Sequence, residues 1–217
     1  MSNGIDFQIF TLPNHGIVLA ELKDKDMEYL WNAIEEGKKA NINMYENAGH
    51  ISSSLAIKDK DNRILDCACS LIHEYEKKFG RSFPSIFSRE SSVYNFNLDS
   101  FWVNFQKQNE FNPMHNHLGV YSFVIWMKIP TEWTEQKEIL ISKNSTTSDP
   151  ISNFAFVYTD IIGAIQNFWI KMGKDKEGIL LLFPSQLQHL VNPFYNCDEE
   201  RISISGNISL KTVSKSK

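Results

Sequence analysis

The first hundred residues contain two stretches in which apolar side chains recur every three or four positions. In residues 24–39 these side chains are Met27, Leu30, Trp31 and Ile34. In residues 62–79 they are Ile64, Ala68, Leu71, Ile72, Tyr75 and Phe79. This spacing predicts two amphipathic helices, and Asp61 or Asn62 is the predicted cap at the start of the second.

After Pro84 the apolar residues alternate with polar ones or form short runs, as they do in β-strands. Strands are predicted at residues 101–106, 120–129, 154–158, 166–172, 179–183 and 201–210. Two helices followed by strands alone predict a mainly β, α+β protein built on an antiparallel sandwich or barrel. The polar residues 131–152 predict a long loop of the kind that covers or contacts a ligand.

Composition and charge exclude several classes of protein. The chain has 217 residues, 42% of them hydrophobic, and its formal net charge of -4 does not fit a nucleic-acid-binding module. No apolar run is long enough to cross a bilayer, and no secretory signal is visible at the N-terminus. The three cysteines form neither a disulfide framework nor a zinc pattern, which predicts reduced thiols in a cytosolic protein.

The last predicted strand has one polar and one apolar face. With a period of two, one face carries Arg201, Ser203, Ser205 and Asn207, and the other carries Ile202, Ile204 and Ile208. A half-solvated strand would show the same pattern. If the helices cover the isoleucines, however, the guanidinium lies inside the barrel, where it needs an anionic partner. No acidic residue shares its face, so a bound anion is the predicted partner.

Three of the six histidines are candidates for a metal site. His115 and His117 lie two residues apart on extended backbone, so their rings project from the same face and can reach one metal ion. His189 follows the apolar strand at residues 179–183 and has apolar neighbours. A structural role for the pair is the competing interpretation.

In this order the residues resemble the iron(II)/2-oxoglutarate-dependent dioxygenases, whose motif is H-x-(D/E), a distal His, and then Arg or Lys near a Ser or Thr. Residues 90–210 are similar in particular to 2-oxoglutarate/iron oxygenases of marine bacteriophages and bacteria, which are related to prolyl-4-hydroxylases. The similar segments are Trp102-Val103-Asn104-Phe105, His115-Asn116-His117, Leu182-Phe183-Pro184-Ser185, His189 and Glu200-Arg201-Ile202-Ser203-Ile204-Ser205-Gly206-Asn207.

The resemblance implies a double-stranded β-helix, or jelly-roll, with supporting helices. We therefore expect residues 1–217 to form one domain, with 1–83 as helical N-terminal support and 84–210 as the catalytic core. The implied cofactors are Fe(II), 2-oxoglutarate as co-substrate, O2, and ascorbate as reductant. The implied reaction is hydroxylation, with a prolyl residue of a peptide or protein as one candidate substrate. The expected location is the cytoplasm, which is that of the host cell if the chain is phage-encoded.

Carried over residue by residue, the resemblance makes His115, His117 and His189 the ligands of Fe(II). Arg201 would pair with the distal carboxylate of 2-oxoglutarate, and Ser203 would donate a second hydrogen bond to it. The candidates for completing the co-substrate pocket are Asn104, Gln106, and Tyr121 or Ser122. A structural role, as strand residues with satisfied polar contacts, is the competing interpretation for these four.

The chain departs from the family at His117, which stands where the wider family has a carboxylate. Glu110, the nearest acid in sequence, is predicted in the preceding turn. A second alignment makes His117 the first ligand and Gly119 the vacant position, as in halogenases. Two other interpretations stay open. One is a three-histidine cupin-like enzyme that does not use 2-oxoglutarate, and the other is a metal-free jelly-roll used structurally or for binding.

Overall fold

The computed structural model describes residues 8–44, 49–83, 93–144 and 150–213. Its α-helices are α1 (Asp24–Ala40), α2 (Arg63–Phe79), α3 (Trp133–Gln136) and α4 (Leu140–Lys143), and a short 3-10 helix spans Lys174–Lys176. Its strands are β1 (Val18–Glu21), β2 (Ser53–Ala56), β3 (Val93–Gln106), β4 (Asn112–His115), β5 (Tyr121–Lys128), β6 (Phe154–Thr159), β7 (Ile165–Ile170), β8 (Ile179–Pro184), β9 (Gln188–Val191) and β10 (Arg201–Val213). Among these helices, none has the length and apolar character that a membrane span requires.

Both predicted helices are confirmed as α1 and α2, but the predicted cap of α2 is wrong. Asn62 adopts a left-handed conformation, with φ of 54°, and its side chain makes no capping hydrogen bond. Asp59 caps the helix instead, because its Oδ2 accepts the backbone N–H groups of Ile64 at 3.0 Å and Leu65 at 2.9 Å. These are among the first N–H groups of the helix, which have no partner within the helix itself.

Asp59→Ala is expected to lower the free energy of unfolding by about 1–2 kcal/mol, the usual cost of losing a helix cap. The same substitution removes the acceptor of the Tyr29 hydroxyl, 2.8 Å from Oδ1, which links α1 to this cap. Urea unfolding followed by circular dichroism measures the loss. Asp61→Ala is the matched control, since its exposed carboxylate does not cap α2, and equal losses in the two variants would contradict the assignment.

The strands form two antiparallel sheets. The larger sheet has the order β1-β8-β5-β10-β3-β2 and the smaller sheet has the order β4-β9-β6-β7. β10 lies near the middle of the larger sheet and pairs with β3 on one side and β5 on the other. The two sheets form a double-stranded β-helix, so the predicted fold class is confirmed.

Some features of the chain differ from the prediction or fall outside the described residues. β1 and β2, which the sequence pattern did not predict, form the two edges of the larger sheet, so the part before residue 84 supplies strands as well as helices. The division of the chain at residue 84 stays a prediction, and the change of periodicity after Pro84 begins outside the described residues. The predicted loop at residues 131–152 contains α3 and α4, and its residues 145–149 are also outside the described part.

The two faces of β10 pack into different environments, as its period of two predicts. Ile202, Ile204 and Ile208 belong to the larger core, which packs against residues of α1 and α2. The polar face lines a cavity between the two sheets. A second, smaller core of aromatic and aliphatic residues from both sheets adjoins this cavity.

Candidate metal centre

The backbone brings His115, His117 and His189 together at one end of the smaller sheet. His115 ends β4 and is directly opposite His189 of β9 in the strand register. His117 follows β4, and its N–H donates to the carbonyl oxygen of Ser185 at 2.9 Å. One ring nitrogen from each histidine lies within 4.8 Å of the other two, and the Nε2 atoms of His117 and His189 are 3.1 Å apart.

Backbone carbonyl groups fix the tautomer of two of these rings. Nδ1 of His115 is 2.7 Å from the carbonyl oxygen of Pro113, and Nδ1 of His189 is 3.0 Å from that of Leu187. A carbonyl oxygen only accepts, so each Nδ1 carries a hydrogen, and in the neutral ring Nε2 keeps its lone pair. This orientation of an imidazole by a backbone acceptor is typical of metal-ligating histidines.

Burial keeps the three rings neutral. It lowers the pKa of His115, and it lowers the pKa of His117 to about 4 and that of His189 to about 3. The mutual repulsion of the imidazolium forms adds to this lowering for His117 and His189. Neutral imidazole is the form that binds a metal ion.

Arg201 lies in the same cavity, 2% exposed, where burial lowers its pKa to about 9. Its Nη2 donates to the carbonyl oxygen and to Oγ of Ser152, both at 2.8 Å, and its Nη1 is 3.4 Å from Oε1 of Gln106. The ring of Phe194 lies 4.9 Å from the guanidinium carbon. Nε has no partner among the described residues, so the guanidinium keeps donor capacity for an anion.

The cavity has a volume of about 150 Å³ and joins the histidine cluster to the arginine. β3 and β10 form a polar wall, and β5 and β8 form an apolar wall with Val124, Trp126 and Phe183. No carboxylate of the described residues lines it. Glu110, the nearest acid to the histidine pair in sequence, accepts the N–H groups of Ser52 and Lys107 in the turn after β3.

The other predicted pocket residues differ in their positions. Asn104, Gln106 and Ser203 line the cavity. Ser122 lies beside it, and its hydroxyl contacts Asn207 and Ser185.

The prediction for Tyr121 is wrong, because this residue faces the helices. Its hydroxyl donates to Glu76 of α2 at 3.2 Å, and its ring packs edge-on against Tyr75. Burial raises the pKa of the Tyr121 hydroxyl to about 12. In β5 the cavity face begins one residue later, at Ser122, since neighbouring strand residues face opposite sides of the sheet.

The alternative alignment through Gly119 does not fit this geometry. It leaves out His115, whose ring centroid is 4.3 Å from that of His189. Gly119 has a φ of 101° and packs against β10, where an added Cβ would lie 2.6 Å from the carbonyl oxygen of Ile208. The cluster therefore comprises His115, His117 and His189.

Two residues around the guanidinium, Ser152 and Phe194, were not predicted from the sequence. Ser152 lies at the end of the predicted loop and Phe194 lies between β9 and β10. Neither belongs to a strand or to a motif with fixed spacing, so no periodicity marks them. The only signal was the expectation that residues 131–152 contact a ligand, and Ser152 instead contacts the residue predicted to bind one.

Comparison with known proteins gives a match over the part of the chain that contains the three histidines and Arg201. Residues 100–207 match the model of a family described as "Putative 2OG-Fe(II) oxygenase". The chain is similar to a solved structure of a prolyl hydroxylase from Trichoplax adhaerens in complex with a hypoxia inducible factor oxygen degradation domain peptide fragment. The two sequences are 12% identical, the TM-score is 0.56, and the alignment covers 90% of this chain and 83% of that one. A Pseudomonas putida prolyl-4-hydroxylase is 12% identical with a TM-score of 0.49, and the alignment covers 90% of this chain and 92% of that one. No curated protein matches the sequence.

Proposed function

Because the chain belongs to the 2OG-Fe(II) oxygenases, which use Fe(II), 2-oxoglutarate and O2, we propose that it hydroxylates its substrate at a metal ion held by His115, His117 and His189. We also propose that Arg201 binds the distal carboxylate of 2-oxoglutarate and that Ser203 donates a second hydrogen bond to it. One observation carries both assignments. The same cavity is lined by the three imidazoles and by a buried arginine, and this arginine has no carboxylate partner among the described residues.

The three imidazoles suit a divalent metal ion. The Nε2 atoms of His117 and His189 are 3.1 Å apart, a separation at which both could be ligands of one metal ion. When bound, Fe(II) supplies the redox chemistry that activates O2. Three neutral ligands leave such a centre one charge unit more positive than two histidines and a carboxylate do, which favours an anionic co-substrate.

The polar wall of the cavity suits a dicarboxylate. A carboxylate at Arg201 offsets the cost of burying the guanidinium, and its two oxygens match the planar arrangement of guanidinium donors. Ser203 is next on the same face of β10 and is opposite Asn104 of β3 in the register. The Ser54 hydroxyl donates to Oδ1 of Asn104 at 2.7 Å and so orients its carboxamide. We assign Asn104 to co-substrate contact and Gln106 to support of Arg201.

The proposed substrate is an uncharged residue of a peptide or protein, with a prolyl residue as the first case to test. A cavity of about 150 Å³ has room for the co-substrate and only a small part of a substrate, so most of the substrate stays outside. Beyond Arg201 the polar wall offers hydroxyl, amide and indole groups from Ser205, Asn207 and Trp102. The prolyl hydroxylase from Trichoplax adhaerens that shares this fold has a peptide bound.

A three-histidine enzyme that does not use 2-oxoglutarate is the second candidate. The all-imidazole composition of the cluster favours it. It gives no role, however, to a buried arginine in the same cavity with a donor left unpaired. A metal-free binding jelly-roll accounts for the arginine as an anion-binding residue, but it does not explain the convergence of three neutral imidazoles.

Protein supplied with Fe(II), ascorbate and 2-oxoglutarate is expected to form succinate, slowly without substrate and faster with a proline-containing peptide. Ascorbate serves as the proposed reductant. Succinate measured by mass spectrometry, with Fe(II) omitted in a parallel reaction, tests the proposal. If no succinate forms and 2-oxoglutarate does not bind the Mn(II)-loaded protein, the co-substrate assignment is wrong and the second candidate is favoured.

A further inference from the structure

Ser152 has an unusual backbone conformation for its residue type. Five described residues other than glycine have positive φ, and four of them are asparagines, which tolerate this region. The fifth is Ser152, with φ of 62°, and it is 0% exposed. A serine held in this conformation inside the protein indicates that the surrounding contacts determine its geometry.

These contacts are directed at Arg201. The carbonyl oxygen and Oγ of Ser152 both lie 2.8 Å from Nη2, so this one residue accepts both hydrogens of that amino group. Arginine carries no acceptor, so the serine hydroxyl must accept here. Its own hydrogen is then free for Oγ1 of Thr131, which is 3.5 Å away.

Neighbouring backbone groups hold Ser152 in place. Its N–H donates to the carbonyl oxygen of Pro193 at 3.0 Å, next to Phe194, whose ring packs on the guanidinium. The following residue, Asn153, accepts the N–H of Met172 through Oδ1 at 2.9 Å and the N–H of Asn192 through its carbonyl oxygen at 3.0 Å. The guanidinium is therefore held at one amino group and on one face.

We infer that Ser152 is a positioning residue that fixes the guanidinium of Arg201 for recognition of a dicarboxylate. The inference rests on the proposed role of Arg201. With Nη2 satisfied by Ser152, the donors left for a ligand are Nε and Nη1, and Nη1 has only the long contact to Gln106. Ser152 selects 2-oxo acids that carry a second carboxylate, and it acts on them only through Arg201.

The proposed role of Ser152 can be tested by comparing the affinities for two 2-oxo acids that differ only in their distal end. 2-Oxoglutarate carries a distal carboxylate, and 2-oxobutyrate is a 2-oxo monocarboxylate without it. A residue that acts through the guanidinium changes the affinity for the first and leaves the second unchanged. A residue that only supports the fold changes both affinities together.

Ser152→Ala is expected to weaken 2-oxoglutarate binding to the Mn(II)-loaded protein by about tenfold, since one hydrogen bond to a charged group is lost. The affinities for 2-oxobutyrate and for Mn(II) are expected to stay at their wild-type values. Isothermal titration calorimetry measures all three. Ser152→Gly removes the same hydroxyl and suits positive φ, so it should show the same selective loss with a melting temperature at least that of Ser152→Ala.

Ser142→Ala is the matched control, because this serine lies in α4 of the same segment and is buried with a hydroxyl that has no partner in the described part. It should bind both acids as the wild type does. Wild-type binding of 2-oxoglutarate by Ser152→Ala and Ser152→Gly, or equal weakening of both acids, overturns the inference. Arg201→Ala tested alongside separates the two claims: if it keeps the preference for the dicarboxylate, the proposed pocket itself is wrong.

Discussion

Arg201→Ala is expected to weaken 2-oxoglutarate binding by about 2–5 kcal/mol, the usual cost of truncating one partner of a buried charge pair. Metal binding is expected to persist, because Arg201 does not belong to the histidine cluster. Without the guanidinium, the distal carboxylate enters a cavity whose described lining holds no other permanent cation. Titration of the Mn(II)-loaded protein with 2-oxoglutarate measures the loss, and metal content measured on the same sample checks that the centre is intact.

Two further variants separate charge, geometry and nonspecific effects. Arg201→Lys keeps the charge and loses the planar set of donors, so its affinity should lie between those of the wild type and Arg201→Ala. Arg63→Ala is the matched control, since Arg63 begins α2 and pairs with Asp26 of α1 outside the cavity. Its 2-oxoglutarate affinity should equal that of the wild type. An unchanged affinity in Arg201→Ala would place the co-substrate somewhere other than the pocket assigned here.

The polar face of β10 was predictable from sequence because a strand with one core face and one cavity face alternates strictly. Ile202 and Ile204 enter the larger core, and Arg201 and Ser203 line the cavity. Spacing also indicated which histidines meet, since two of them lie two residues apart on extended backbone. The pairing of His115 with His189 is a long-range strand contact that no local pattern contains.

Where the apolar residues show no clear periodicity, predictions from the sequence were wrong or absent. β5 is apolar on both faces, so its pattern did not show that Tyr121 packs toward α2 and that Val124 lines the cavity. β1 and β2 have only four residues each, too few to show an alternation. The conformation of Ser152 depends on Pro193 and Arg201, both more than forty positions away in the chain. Contacts of this kind appear only in the folded chain.

His189→Ala is expected to abolish stoichiometric metal binding, with an affinity loss of more than about 100-fold, since even partners outside the first ligand shell contribute 10–100-fold. Its Nε2 is 3.1 Å from that of His117, and its Nδ1 is held by the carbonyl oxygen of Leu187. Mn(II) binding followed by electron paramagnetic resonance, and metal content measured after gel filtration, both report the loss.

The histidine ring also packs in the core, so a second variant separates ligation from stability. Phe154 and Phe183 lie 5.5 and 4.9 Å from it between ring centroids, and truncation to alanine leaves space there. His189→Gln retains most of the volume and removes the imidazole, so it should fold and still fail to bind metal. His73→Ala, at an exposed position of α2, is the matched control and should bind metal normally. If a folded His189→Gln protein binds Mn(II) as tightly as the wild type, His115 and His117 hold the ion without the third imidazole.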